Sequence, residues 1–298
     1  MPDSSRILIT GHRGQLGSDL MSYFSDHGQV AGVDLPELDI TNRAAVRNLI
    51  SLIKPSVVIH AAAFTDVDAC ESNEGQAMAV NADGSENIAK ACREVGAVMV
   101  YYSTDYVFDG RKPTPYVEED APGPQTAYGR SKLAGEERVR SIVDNHVIMR
   151  IAWVYGANGR NFVKTIVRLG REYEDKVNRK MPAAPLQVVD DQIGNPTCTM
   201  DIVRQTDQIL QNGLYGLFHS SSETPVSWYG FTKAVFEELK MTVDVRPCTT
   251  EEFRRPAHRP ANSALENARL KEARINVMRD YREALNAFLA VNKEKLLQ

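Results

Sequence analysis

"RILITGHRGQLGSDLMSYF", residues 6–24, joins a short apolar run to three glycines and then to a segment with a helical repeat. "RILIT" has the pattern of a buried strand, while Leu16, Leu20 and Phe24 recur at the spacing of one helix face. Gly11, Gly14 and Gly17 lie between and within them. A strand that turns sharply, lets its backbone approach a ligand and packs a helix tightly needs glycine at such positions, and the helix start offers unpaired N–H groups to an anion. The spacing is Gly-x-x-Gly-x-x-Gly rather than the Gly-x-Gly-x-x-Gly of the dinucleotide fingerprint. The loop alone therefore also fits a plain glycine-rich turn. Its place in the first strand-to-helix turn, with Asp34 ending the next strand, favours a nucleotide site.

The alternation continues outward from this unit. "QVAGVD" (29–34), "SVVIHAAA" (56–63), "AVMVYYST" (97–104) and "HVIMRIAWVYG" (146–156) read as strands, separated by helices over 44–55, 74–96 and the stretch that begins at Tyr128. Strand and helix in this order imply an α/β fold with a doubly wound, Rossmann-type parallel sheet. Beyond residue 156 the regularity fades. Helices are expected over 160–180, 199–213, 227–240 and 266–292, with short strands in 185–197 and 216–221. This predicts an NAD(P)-binding domain of residues 1–156 plus about 186–221. A smaller, discontinuous mixed α/β substrate-binding lobe takes about 157–185 plus 222–298.

Bulk properties exclude several function classes. The chain has 298 residues, of which 43% are hydrophobic and 25% charged, with a formal charge of -4. That balance gives no reason to expect nucleic acid or an anionic membrane as partner. The four cysteines form no Cys-x-x-Cys, so neither a metal site nor a disulfide framework is indicated, and a cytoplasmic location is expected. No stretch is long enough for a membrane span, and "MPDSSRILIT" is too short for a leader.

Two constellations carry chemistry. Asp34 is placed to accept hydrogen bonds from an adenosine ribose, which favours NAD, whereas Arg13 inside the glycine loop suits the 2′-phosphate of NADP; NADH and NADPH both stay open. The second constellation is the strand end "STDYVFDG" with Tyr128 and, four residues on, Lys132. Carboxyl ends of parallel strands face the ligand crevice, so Ser103 and Thr104 are expected to point there. A lysine ammonium beside a phenol lowers the phenol's pKa from about 10 and makes it a general acid. A second Tyr-x-x-x-Lys, Tyr229 to Lys233, lies in the irregular lobe away from any such strand and is read as a packing pair.

Together with "HAAAFTDVDACE", "VNADGSENIAKAC" and "RIAWVYG…NFVKTIVRL…VVDDQIGNPT", these motifs resemble the dTDP-4-dehydrorhamnose reductase group of extended short-chain dehydrogenases/reductases, over residues 5 to 290. The resemblance implies NAD(P)H-dependent reduction of the C4 ketone of dTDP-4-dehydro-6-deoxy-L-mannose to dTDP-L-rhamnose. Tyr128 would be the proton donor, Lys132 its electrostatic partner and a ribose ligand, and Thr104 a donor to the ketone. Gly11, Arg13, Gly14, Gln15, Leu16 and Gly17 would line the pyrophosphate. Asp34, Asp39 and Ile40 would take the adenosine side, Ala62, Ala63 and Phe64 the cofactor's edge, and Asn81 a structural or relay position. Thr65, Val67, Asp105 and Trp153 would surround the deoxysugar, and Arg259 would hold its diphosphate. A monomer or homodimer is expected.

His60 reads as a buried hydrogen-bonded side chain rather than a catalyst. Asp190 and Asp191 hint at the divalent cation some relatives hold, but Gln15 and the carboxyl-terminal residues supply no complementary acids, so no metal is expected. The chain departs from the group in a longer segment at 170–187, expected to border the sugar-nucleotide pocket, and in Asp66, which places a charge near the sugar. Three functions are compatible: this reductase, an epimerase or reductase of another nucleotide 4-keto-deoxysugar, or a non-catalytic NADP-binding regulatory subunit like that of methionine adenosyltransferase.

Overall fold

Alternate residues of each central strand feed opposite faces of one sheet, so the strands read as nearly unbroken apolar runs. The computed structural model describes residues 6–26 and 28–297; residues 1–5, part of the stretch considered for a leader, lie outside the described residues. In chain order the first half comprises β1 (Arg6–Thr10), α1 (Gln15–Ser25), β2 (Gln29–Val33), α2 (Arg43–Ile53), β3 (Val57–His60), α3 (Val67–Ser72), α4 (Glu74–Met78), a π-helical turn (Ala79–Gly84), α5 (Ser85–Val95) and β4 (Val98–Thr104). A 3-10 turn (Asp105–Val107) leads on to α6 (Ala127–Ile142), β5 (His146–Ile151), β6 (Val154–Tyr155), α7 (Phe162–Asn178), β7 (Leu186–Val189), β8 (Ile193–Gly194), β9 (Thr197–Cys198) and α8 (Thr199–Gln211). β10 (Gly216–His219), β11 (Val226–Ser227), α9 (Trp228–Leu239), β12 (Val245–Cys248), α10 (Ala268–Glu272) and α11 (Tyr281–Leu297) complete the chain.

The sheet has the order β10-β5-β4-β3-β1-β2 and is parallel throughout. Ile7, Ile9, Ile59, Val100 and Met149 pack on one face against Leu20 and Phe24 of α1 and Ile202 and Val203 of α8. Leu8, Val58, Met99 and Ile148 pack on the other against α2, α5 and α6 through Val46, Ile50, Ile88, Cys92 and Val139. The chain leaves β1 for β2 on one side and returns to β3 on the other, so a crevice opens between the loops after β1 and β3. Thr10 lies level with both Val33 and His60, which brings Gly11, Asp34 and Ala61 to the same edge.

A third cluster joins α7, α9 and α11 through Val163, Val167, Phe231, Val235, Leu285 and Phe288. β7 pairs with β12 and sends Val188 into this cluster, whereas α8 covers the main sheet and β10 edges it. Residues 186–221 are thus shared between the two packing units rather than held as one block. Three expected elements are interrupted. The helix expected over 74–96 holds the π-helical turn, and the strand expected over 146–156 breaks at Trp153, whose φ is +44°. The helix expected over 266–292 is two helices, α10 and α11. Among the described residues no helix is long and apolar enough to cross a membrane.

Candidate active site

Two hollows open along the carboxyl edge of the sheet at the switch point. The larger, about 450 Å³, runs from Gly14, Gln15, Leu16 and Gly17 past Ala62 and Ala63 to Thr104, Tyr128 and Lys132. The smaller, about 240 Å³, is lined by Gly11, Asp34, Asp39, Ile40, Ala62 and Ala63. Gly11 has φ +71°, and a Cβ there would lie 2.5 Å from the Ala62 nitrogen; one at Gly17 would lie 2.0 Å from the Gly11 carbonyl oxygen. The two loops and the start of α1 are pressed together at a spacing only glycine permits. Gly14 caps α1 without a side chain, which leaves its first N–H groups open to an anion. This cradle fits the pyrophosphate of a dinucleotide.

On the adenosine side, Asp34 accepts the Arg13 N–H at 3.1 Å and the Leu35 N–H at 2.9 Å. The Arg13 guanidinium folds over this turn, donating to the Leu35 carbonyl at 2.7 Å and pairing with Glu37. Asp39 is engaged by the Thr41 backbone and hydroxyl. Phe64 is not among the lining residues: its N–H and C=O are both clamped by the buried Asn81 amide, at 2.8 and 2.9 Å. Asn81 also reaches Ser131 of α6 at 2.9 Å, so it ties the cofactor-edge loop to the helix of Tyr128.

At the other end, Thr126 caps α6 through the Gly129 N–H, and a Cβ on Gly129 would lie 2.2 Å from the Tyr106 carbonyl oxygen. α6 therefore starts hard against the turn after β4, which sets half-buried Tyr128 beside Thr104. The Thr104 hydroxyl donates to Asp105 at 3.0 Å and accepts the Tyr106 N–H at 3.2 Å. With its proton directed to Asp105, the hydroxyl has to turn before it can donate to a ketone. Burial pushes the Tyr128 pKa up, with its bond to Thr104 opposing and the Asp105 charge adding to the rise. The net direction is upward, opposite to the lowering expected from a neighbouring lysine, because desolvation of the phenolate is the largest cause. Lys132, 3% exposed, is itself pulled down to about 7 by burial, against the pull of Glu136. Burial likewise pushes Asp105 up to about 6, and among the described residues its second carboxylate oxygen has no hydrogen-bond partner.

The remaining wall holds Thr65, Val67, Tyr106, Trp153, Arg160 and Trp228. The Trp153 and Trp228 rings stack with centroids 3.5 Å apart, and Gly194 lies under Trp153 where a Cβ would be 2.4 Å from its ring. Trp228, Tyr106 and Arg160 were not singled out in the sequence. Trp228 directly precedes the second Tyr-x-x-x-Lys; neither Tyr229 nor Lys233 lines the cleft, and Lys233 sits 5.5 Å over the Tyr229 ring. Arg259 lines a different hollow with Asp191, Arg254, Arg255 and His258, and its guanidinium pairs with Asp68 at 3.0 Å. Asp66 is exposed and caps α3 through the Ala69 N–H. No residue of 170–187 lines the cleft. Asp190 accepts the Ser227 hydroxyl and Asp191 the Thr250 hydroxyl, and among the described residues no group of three or more His, Cys, Asp or Glu side chains is placed to hold a metal ion.

The comparisons agree with this arrangement. Residues 5–293 match the family model described as RmlD substrate binding domain. The chain is 39% identical to a dTDP-4-dehydrorhamnose reductase of Mycobacterium tuberculosis, over 96% of this chain and 93% of that one. It is 36% identical to the spore coat polysaccharide biosynthesis protein SpsK of Bacillus subtilis, over 96% and 97%. A crystal structure of dTDP-4-dehydrorhamnose reductase from Bacillus anthracis in complex with NADP superposes with a TM-score of 0.91 at 38% identity, covering 96% of this chain and 99% of that one. With the family model matched over residues 5–293 and these relatives matched over nearly their whole length, the chain belongs to the dTDP-4-dehydrorhamnose reductase family of enzymes.

Proposed function

We propose that this chain reduces the C4 ketone of dTDP-4-dehydro-6-deoxy-L-mannose to dTDP-L-rhamnose with NADH or NADPH, as a cytoplasmic monomer or homodimer. The observation that carries this reading is one cleft holding Thr104, Tyr128 and Lys132 at one end and the glycine cradle at the other. When bound, the reduced nicotinamide supplies hydride to the ketone carbon. The chain's own residues place and protonate the ketone oxygen. Tyr128 keeps its proton across neutral pH because burial disfavours the phenolate, so it is a loaded acid that donates O–H to that oxygen as charge develops there. Thr104, beside the phenol, favours the phenolate oxygen that forms, and Lys132 supplies positive charge against it. Thr65, Val67 and the two tryptophans enclose the sugar and keep water from the reacting carbon. Asp34 and Arg13 together allow either cofactor, since a carboxylate suits the ribose diol and a guanidinium its phosphate.

Purified protein with dTDP-4-dehydrorhamnose and NADH or NADPH, followed by loss of reduced-cofactor absorbance, tests the reading. The expected result is oxidation by the wild type and a loss of roughly 10²- to 10⁴-fold in kcat for Tyr128→Phe. No oxidation by the wild type overturns the reaction, and equal rates overturn Tyr128 as the acid. A non-catalytic subunit would have no use for three reactive side chains converging on a cofactor-sized cleft.

A further inference from the structure

Lys132 is a buried cation whose support comes from a neighbour outside the reacting trio. Among the described residues its Nζ has neither a hydrogen bond nor an ion pair; it sits 4.1 Å from the centroid of the Tyr101 ring. Tyr101, on β4, is fully buried and touches the same residue a second time, its hydroxyl donating to the Lys132 backbone carbonyl at 3.1 Å with the Asn81 carbonyl at 3.3 Å. The seat is built for it, since a Cβ at Gly135 would lie 2.2 Å from the Tyr101 hydroxyl oxygen.

The other groups facing Lys132 offer less. On its own helix, Glu136 is held bidentately by Arg150 at 2.9 and 2.8 Å, and Tyr128 keeps its proton. On β3, His60 lies between Thr10 and Ser85 and stays neutral, because burial and then the Lys132 charge disfavour its imidazolium. After β4, Asp105 is engaged by Thr104. A cation over an aromatic face is favoured over the neutral amine, the more so where water is excluded.

We propose that Tyr101 is a positioning residue for Lys132: its ring face supports the ammonium and its hydroxyl anchors the backbone, holding the cation ready for Tyr128 and the cofactor ribose. The role in turnover rests on the reductase reading; the effect on the lysine does not.

The test replaces Tyr101 with phenylalanine and then with mono-, di- and trifluorinated phenylalanines, near-isosteric rings whose faces grow progressively less negative, alongside Tyr101→Leu. Lys132 titration is followed by ¹³C NMR in lysine-labelled protein without substrate, its resonance assigned by loss in Lys132→Met. The midpoint is expected to stay near wild type for phenylalanine and to fall stepwise along the fluorinated series, by about one pH unit at the end. The alkaline limb of kcat should follow it acid-ward, with the sugar KM within about twofold. A midpoint unmoved across the series overturns the proposal, and a limb that ignores a moving midpoint overturns its catalytic part. Should Tyr101→Leu fail to fold, the fluorinated series still decides. If wild-type protein does not turn over the sugar, the reductase reading fails while the lysine titration still tests Tyr101.

Discussion

On the proposed mechanism, Asp105 and Lys132 bracket the pH range in which Tyr128, Thr104 and Lys132 work together. Asp105, at about 6, accepts the Thr104 O–H as a carboxylate and fixes that hydroxyl beside Tyr128. Below that value the protonated acid donates to Thr104 instead, and the hydroxyl beside Tyr128 is turned from its place. Lys132, at about 7, must be charged, and it loses its proton as pH rises. kcat/KM for reduction is therefore expected to be bell-shaped, falling below about 6 and above about 7, when measured in the ligand-free regime. Asp105→Asn should abolish the acid limb and keep the alkaline one. That Tyr128, Thr104 and Lys132 would meet in one cleft was legible, because a strand end and a helical spacing are both local patterns. Tyr101 and Trp228 were not, because their meaning lies in contacts with residues 31 and 75 positions away, Lys132 and Trp153. The pairing of Arg259 with Asp68, 191 positions away, was not legible for the same reason.

The chain from Glu74 to Val95 keeps the same apolar periodicity through α4, the π-helical turn and α5, so sequence shows one helix where there are three segments. The interruption is set by tertiary bonds, with Asn81 turned out of register to hold the Phe64 backbone and Gly84 letting Ile40 approach. π-turns of this kind collect at functional sites. Asn81→Ala leaves the Phe64 N–H unpaired and its C=O with only the weak Cys70 thiol donor, and should cost about 1–3 kcal/mol by denaturant unfolding. It should also raise the cofactor KM more than it lowers kcat, since Phe64 follows the loop of Ala62 and Ala63. The glycine turn is the opposite case: its need for glycine was readable in advance, because a β-strand entering a helix under a pyrophosphate leaves no room for Cβ. Gly17→Ala drives a methyl to 2.0 Å from the Gly11 oxygen, and loss of cofactor binding by calorimetry, tenfold or more, is the expected result.

Across the whole molecule, the parallel sheet and its two apolar faces were legible, and the division of 186–221 between the packing units was not, because strand pairing such as β7 with β12 leaves no mark on either strand alone. The fold also carries a pH dependence of its own. His60 and His219 are buried neutral and titrate near 3 rather than 6.5, burial being the main cause for both. Between those values the unfolded chain binds more protons, so stability falls as pH drops below 6.5, by up to about 1.4 kcal/mol per unit for each histidine. Asp105 acts in the opposite direction between 3.8 and about 6, where the fold takes up a proton before the unfolded chain does. Denaturant unfolding at pH 7 and 5 should show a shallower loss for His60→Gln than for wild type. The stacked indoles on the cleft wall have an optical consequence. They are the chain's only two tryptophans, one packed with the small cluster of Phe108 and Tyr116 and the other with α7 and α9, so far-ultraviolet circular dichroism should show an indole exciton couplet that reports the contact between these two clusters. That couplet collapses whenever the clusters part or a sugar nucleotide displaces either ring, giving a label-free signal of closure that needs no turnover.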